Sequence, residues 1–182
     1  MFGSRKSDSP IALLLGLGMM SALALSQGSC AGYERGGAKP GHLAMVHQLN
    51  VEMVENDTQI PRAAALATNC LIDAITHDGT YRVSRIDTAD ARLLTTLQKV
   101  EYRQARSTRE DILRSEELEM EALLQWSLVD ARNPARILAS GTSRGSTRFF
   151  VDPNLQTARQ TALVDAVKRA AEGMVARFTE GF

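Results

Sequence analysis

Histidine and cysteine, the residues that most often hold transition metals, are scarce in this chain: three and two in 182 residues. His42, His47 and His77 show no metal-ligand spacing, and no cysteine cluster accompanies them. No metal and no other cofactor is expected. Net charge is absent too, with 21 Lys+Arg against 21 Asp+Glu. Non-specific nucleic-acid binding relies on excess positive charge, so no nucleic-acid partner is expected. The chain shows no internal repeat and no Ser-His-Asp arrangement. Its glycine-rich segment, Gly36-Gly37-Ala38-Lys39-Pro40-Gly41, lacks the phosphate-loop pattern and follows no strand. An enzyme is therefore not expected.

A long hydrophobic run is also lacking. The mostly apolar stretch at residues 11–25 is 15 residues long, whereas a membrane-spanning helix needs roughly 20. With Arg5 and Lys6 before it and small residues after it, it reads as the core of an export signal. Cys30 follows, preceded by Gly28 and Ser29. An uncleaved N-terminal anchor is the alternative to cleavage, and two cleavage routes stay open. Cleavage before Cys30 would leave a thioether-linked lipid on that residue, although Gln27 stands where a bulky apolar residue is usual. Ordinary cleavage could instead follow Ala22-Leu23-Ala24. On the first route the chain divides into a signal peptide at 1–29, a lipid-anchored tether at 30–42 and a single domain at 43–182. More than one acyl chain would be needed for stable anchoring, since each buried CH₂ adds only about 0.8 kcal/mol.

Periodicity assigns the elements of the domain. Leu49, Val51 and Met53 alternate with polar neighbours and predict a strand within 42–55. A helix is expected over 60–78, with Pro61 in its first turn and Asp78-Gly79 as its stop. A short strand begins at Tyr81-Arg82-Val83, and a longer one covers 91–103. Residues 115–130 alternate most cleanly: Met120, Ala122, Leu124, Trp126 and Leu128 on one face, Glu117, Glu119 and Glu121 on the other. Asn133-Pro134 turns the chain into a strand over 135–148, where Gly141 and Gly145 are candidate bulges. A helix over 155–179 carries an apolar stripe through Ala166, Val167, Ala170, Met174 and Phe178. The fold class is α+β: two helices packed on one face of a mostly antiparallel four- to five-stranded sheet. Cys70 falls on the first helix and reads as a small buried apolar residue.

Arginines cluster in two places. Arg103, Arg106, Arg109 and Arg114 flank one strand connection; Arg132, Arg136, Arg144 and Arg148 lie along the next hairpin. Guanidinium forks bind phosphate bidentately, but the same residues also balance an acidic stripe such as Glu117, Glu119 and Glu121.

The order of features resembles a known family. A lipoprotein-type cysteine is followed by Gly32-Tyr33 and a Gly/Pro tether. A strand ends in Glu55-Asn56-Asp57-Thr58, and a helix leads into Asp78-Gly79-Thr80-Tyr81-Arg82-Val83. Ala89-Asp90-Ala91 heads a long strand, Asp130 ends another, and an Arg/Ala-rich helix closes the chain from Thr157-Ala158-Arg159 onward. This resembles the lipopolysaccharide-assembly lipoproteins of the LptE (RlpB) family over roughly residues 30–180. The resemblance implies two helices on one antiparallel sheet and a non-enzymatic role. It implies outer-membrane localisation on the periplasmic face through Cys30, and action as the plug of the LptD β-barrel that inserts lipopolysaccharide into the outer leaflet. It also implies lipopolysaccharide binding, for which Arg103, Arg106 and Arg109 are the candidates by clustering. A different envelope lipoprotein, serving as an accessory protein-binding module for secretion or cell-wall synthesis, is the alternative.

Overall fold

The structure, a computed structural model, describes residues 39–106, 117–150 and 154–180. The elements run β1 (Gln48–Val51), β2 (Glu55–Asn56), α1 (Ala63–Asp78), β3 (Arg82–Val83), β4 (Ala91–Arg106), β5 (Glu117–Asp130), β6 (Ile137–Phe150) and α2 (Leu155–Glu180). The strands form one sheet in the order β3-β1-β4-β5-β6, with β2 paired to β4 beyond β1. Both helices pack on the same face. The expected α+β architecture is present, with six strands, because two two-residue strands join the four longer ones. The β4–β5–β6 meander is antiparallel, but β1 and β2 pair with β4 in parallel, as does β1 with β3, so the sheet is mixed.

The strand expected within 42–55 is two strands. Leu49 is fully buried, whereas Met53 is exposed. Between them the chain steps along β4. Val54 then turns inward, its N–H donating to Thr68 Oγ1 of α1 at 2.9 Å. Helix α1 begins at Ala63, later than expected, because Arg62 sits in the left-handed region at φ 64° and breaks the helix before it. It ends as expected: Gly79, at φ 77°, donates its N–H to the Ile75 carbonyl at 3.1 Å.

The alternation of β5 sets the core. Met120, Ala122, Leu124, Trp126 and Leu128 are buried under the helices. Phe178 of α2 meets the ring of Tyr81 at 5.6 Å and that of Trp126 at 5.7 Å, and its carbonyl accepts the Tyr81 hydroxyl. Gly141 and Gly145 are not bulges. Both stay in register with β5, opposite Trp126 and Ala122, and the β6 irregularity falls near Leu138. Gly145 is glycine because α2 lies on its backbone: a Cβ there would sit 2.1 Å from the Ala166 carbonyl oxygen and 2.2 Å from the Ala170 nitrogen. Ser143 Oγ reinforces this contact by donating to the Ala170 carbonyl at 2.8 Å.

Candidate functional site

With both helices on one face, the other face of the meander is open among the described residues, and its character changes along its length. Near the β5–β6 turn it presents Ser127, Gln125, Ser140 and Thr142; toward the far end it becomes charged. There Glu101, Glu121 and Ser146 lie opposite one another across β4, β5 and β6, and Arg103, Glu119 and Arg148 form the next row. Residues directly opposite share a face, so Glu101 beside Glu121 is a repulsive pair. Two cations relieve it. Lys99 reaches Glu101 at 2.5 Å, and Arg103 spans both carboxylates, at 3.2 Å from Glu121 and 3.9 Å from Glu101. The hydrogen bond from Lys99 holds the Glu101 carboxyl below the usual range. Arg148 lies 4.0 Å from Glu117.

This arrangement bears directly on the proposed ligand residues. Arg103 stands on the open face, as its clustering suggested, but its guanidinium is engaged with carboxylates. Arg106 belongs to β4, extending that strand past its expected end, and lies opposite Glu117 in the backbone register. Arg109 and Cys30, the residues expected to bind lipopolysaccharide and to carry lipid, lie outside the described residues, as does most of the expected tether. Lys39, at the tether's expected end, donates to the Val46 carbonyl at 2.9 Å and sits 4.9 Å over the Tyr81 ring. Among the described residues no helix is long and apolar enough to cross a membrane.

Two features carry no periodic signal. Asp90 accepts the backbone N–H groups of both His47 and Gln48 at 2.9 Å, which holds its carboxyl below the usual range and pins the start of β1 to the start of β4. The sequence clue is only an aspartate before a strand. The second is a groove between α1 and α2 on the side away from the sheet, lined by Cys70, Asp73, His77, Val164, Lys168 and Glu172. Cys70 is part-buried there, less than expected. Burial, then Asp73, pushes its thiol up and disfavours the thiolate.

No protein-family model matches the chain, and no curated protein is detectably similar in sequence. Its fold is similar to that of solved structures. A minor lipoprotein from Acinetobacter baumannii superposes with a TM-score of 0.50 at 9% identity, over 74% of this chain and 93% of that one. A Xanthomonas campestris protein described by the DUF330 family model gives 0.50 at 17% identity, over 79% and 89%. A lipoprotein from Nitrosomonas europaea gives 0.45 at 16% identity, over 72% and 83%. The two structures at a TM-score of 0.50 share the fold, and at 9% and 17% identity the likeness shows the fold alone.

Proposed function

We propose that this chain is a lipid-anchored envelope protein, exported by residues 1–29 and held through Cys30, that works by binding another protein and catalyses no reaction. One of its structural neighbours is a bacterial lipoprotein of the same fold, which supports the coarse reading together with the signal-like N-terminus. The finer reading is an LptE-like role at the periplasmic face of the outer membrane: plug and assembly partner of an LptD-type barrel in lipopolysaccharide transport. The observation that carries it is the open sheet face. A rigid sheet clad in Ser, Thr, Gln and paired charges suits the polar, water-lined interior of a large barrel.

The state of Arg103 favours the alternative module for secretion or cell-wall synthesis. A guanidinium already shared between Glu101 and Glu121 offers little to a lipid phosphate. Purification of the tagged protein from detergent-solubilised outer membrane separates the two. An LptD-class barrel in the eluate, with lipopolysaccharide retained internally on depletion, is the expected result. A different envelope partner with normal lipopolysaccharide export would replace the barrel reading with the second one. Mass spectrometry of the mature N-terminus checks the anchor: a diacylglyceryl Cys30 is expected, and an unmodified terminus elsewhere would remove it.

A further inference from the structure

The sheet ends on one side in β6, a 14-residue strand with no strand beyond it among the described residues. In an antiparallel ladder each residue directs both backbone groups to the same side. At the hairpin end the Asp130 N–H donates to the Arg136 carbonyl, which turns the even-numbered residues of β5 toward β6. Their partners Gly141, Ser143, Gly145, Thr147 and Phe149 face back. Thr142, Arg144, Ser146, Arg148 and Phe150 therefore direct their N–H and C=O groups outward. Arg177 confirms the sense, since its guanidinium donates to the outward carbonyl of Thr142 at 2.8 Å. From Arg144 to Phe150, no hydrogen bond among the described residues reaches those outward groups. Proteins commonly blunt such an edge with a lysine, a proline or a short strand, because it is a template for another strand. Here the edge is long, and a groove runs beside it between β6 and α2, lined by Thr147, Phe149, Ala158, Thr161 and Asp165.

We propose that the Arg144–Phe150 edge of β6 takes an extended acidic segment of a partner protein as an added strand. Charge selects this occupant. Arg144 makes no ion pair among the described residues, and Arg148 has one carboxylate at 4.0 Å. Both project onto the open face, four residues apart. An added strand would meet them with carboxylates at positions i and i+4. Its residues at i+1 and i+3 point toward the groove and are apolar there. Phe150, 62% exposed, gives the segment an apolar neighbour beyond the second arginine. A second copy of β6, running antiparallel about Ser146, would instead set Arg144 against Arg148, which is unfavourable. Backbone pairing supplies affinity in this mode, and alternate side chains supply selection. This proposal stands apart from the lipopolysaccharide reading and survives its failure.

The test uses the exported domain and a synthetic peptide containing Glu-Val-Thr-Val-Glu between polar ends. Titration followed by NMR should slow amide exchange at Arg144, Ser146 and Arg148. Replacing both glutamates with lysine should weaken binding about tenfold or more, and the R144E/R148E double variant should recover the lysine peptide. Ser146→Pro deletes one outward donor at an edge position that tolerates proline, so it should reduce binding about tenfold with its melting temperature nearly unchanged. Absence of exchange changes at about 1 mM peptide would overturn the proposal. So would peptide binding unaffected by Ser146→Pro, or a concentration-dependent dimer that Ser146→Pro abolishes.

Discussion

Gly145 is where α2 comes closest to the sheet, and the contact is backbone on backbone. A methyl group there cannot be accommodated by rotating a side chain, since the atoms it meets are the Ala166 oxygen and the Ala170 nitrogen. Gly145→Ala is expected to cost about 3 kcal/mol or more, read as a lowered urea midpoint. Gly141→Ala meets a side chain, the Trp126 ring at 3.1 Å, and no backbone, so it should cost less, about 1 kcal/mol. Two titrating residues give pH signatures of opposite sense. Asp90 has a folded-state pKa below its unfolded value near 3.9, so its contribution is full above about pH 4 and fades as acid protonates the folded form. Asp90→Asn should flatten the acid limb of the stability curve and leave its alkaline limb alone. The Tyr81 phenol is pushed up to about 12, by burial first and then by Asp78. Its contribution is full below about pH 10 and is lost as pH rises toward 12. Tyr81→Phe should weaken that alkaline loss in a denaturation series.

At the scale of elements, α2 is held by its aromatic end and the open face by much weaker forces. Phe178 is buried against Tyr81 and Trp126, so Phe178→Ala should cost about 4 kcal/mol, with altered Trp126 fluorescence as a second readout. Arg103→Ala removes two ion pairs from a side chain 59% exposed and should cost less than about 1 kcal/mol, less still at high salt. The contrast follows what sequence can reveal. Strand β5 and helix α2 are legible because burial on one side imposes a period of 2 or of 3.6 on many consecutive residues. Strands β1, β2 and β3 are only two to four residues long, so the alternation of Leu49, Val51 and Met53 marks a strand without showing where β1 stops and β2 begins. Their parallel pairing depends on partners such as Leu49 and Ala91, far apart in the chain, so nothing local announces it. Gly145 is visible in the sequence, but not the helix that explains it. The candidate site is half legible on the same terms. The acidic stripe of β5 predicts an open face, while the pairing of Arg103 with Glu121 depends on a register shift at Gln98 that leaves no mark in composition.

For the whole molecule, the helix-covered core fixes the shape, and the polar face and β6 edge are where the proposed partners would bind. A variant of the face or edge should therefore leave the melting temperature nearly unchanged while altering what co-purifies, whereas Gly145→Ala should lower both stability and yield of any complex. The bond from the Tyr81 hydroxyl to the Phe178 carbonyl joins positions 97 residues apart. A ribosome or an export channel releases the N-terminal side of that pair long before the C-terminal side. Until residue 178 emerges, Tyr81 and Trp126 lack their shared aromatic neighbour. The last helix is therefore expected to set when folding completes. A chain ending at Asn154 should remain unfolded by Trp126 fluorescence and regain structure when a peptide covering residues 155–180 is added.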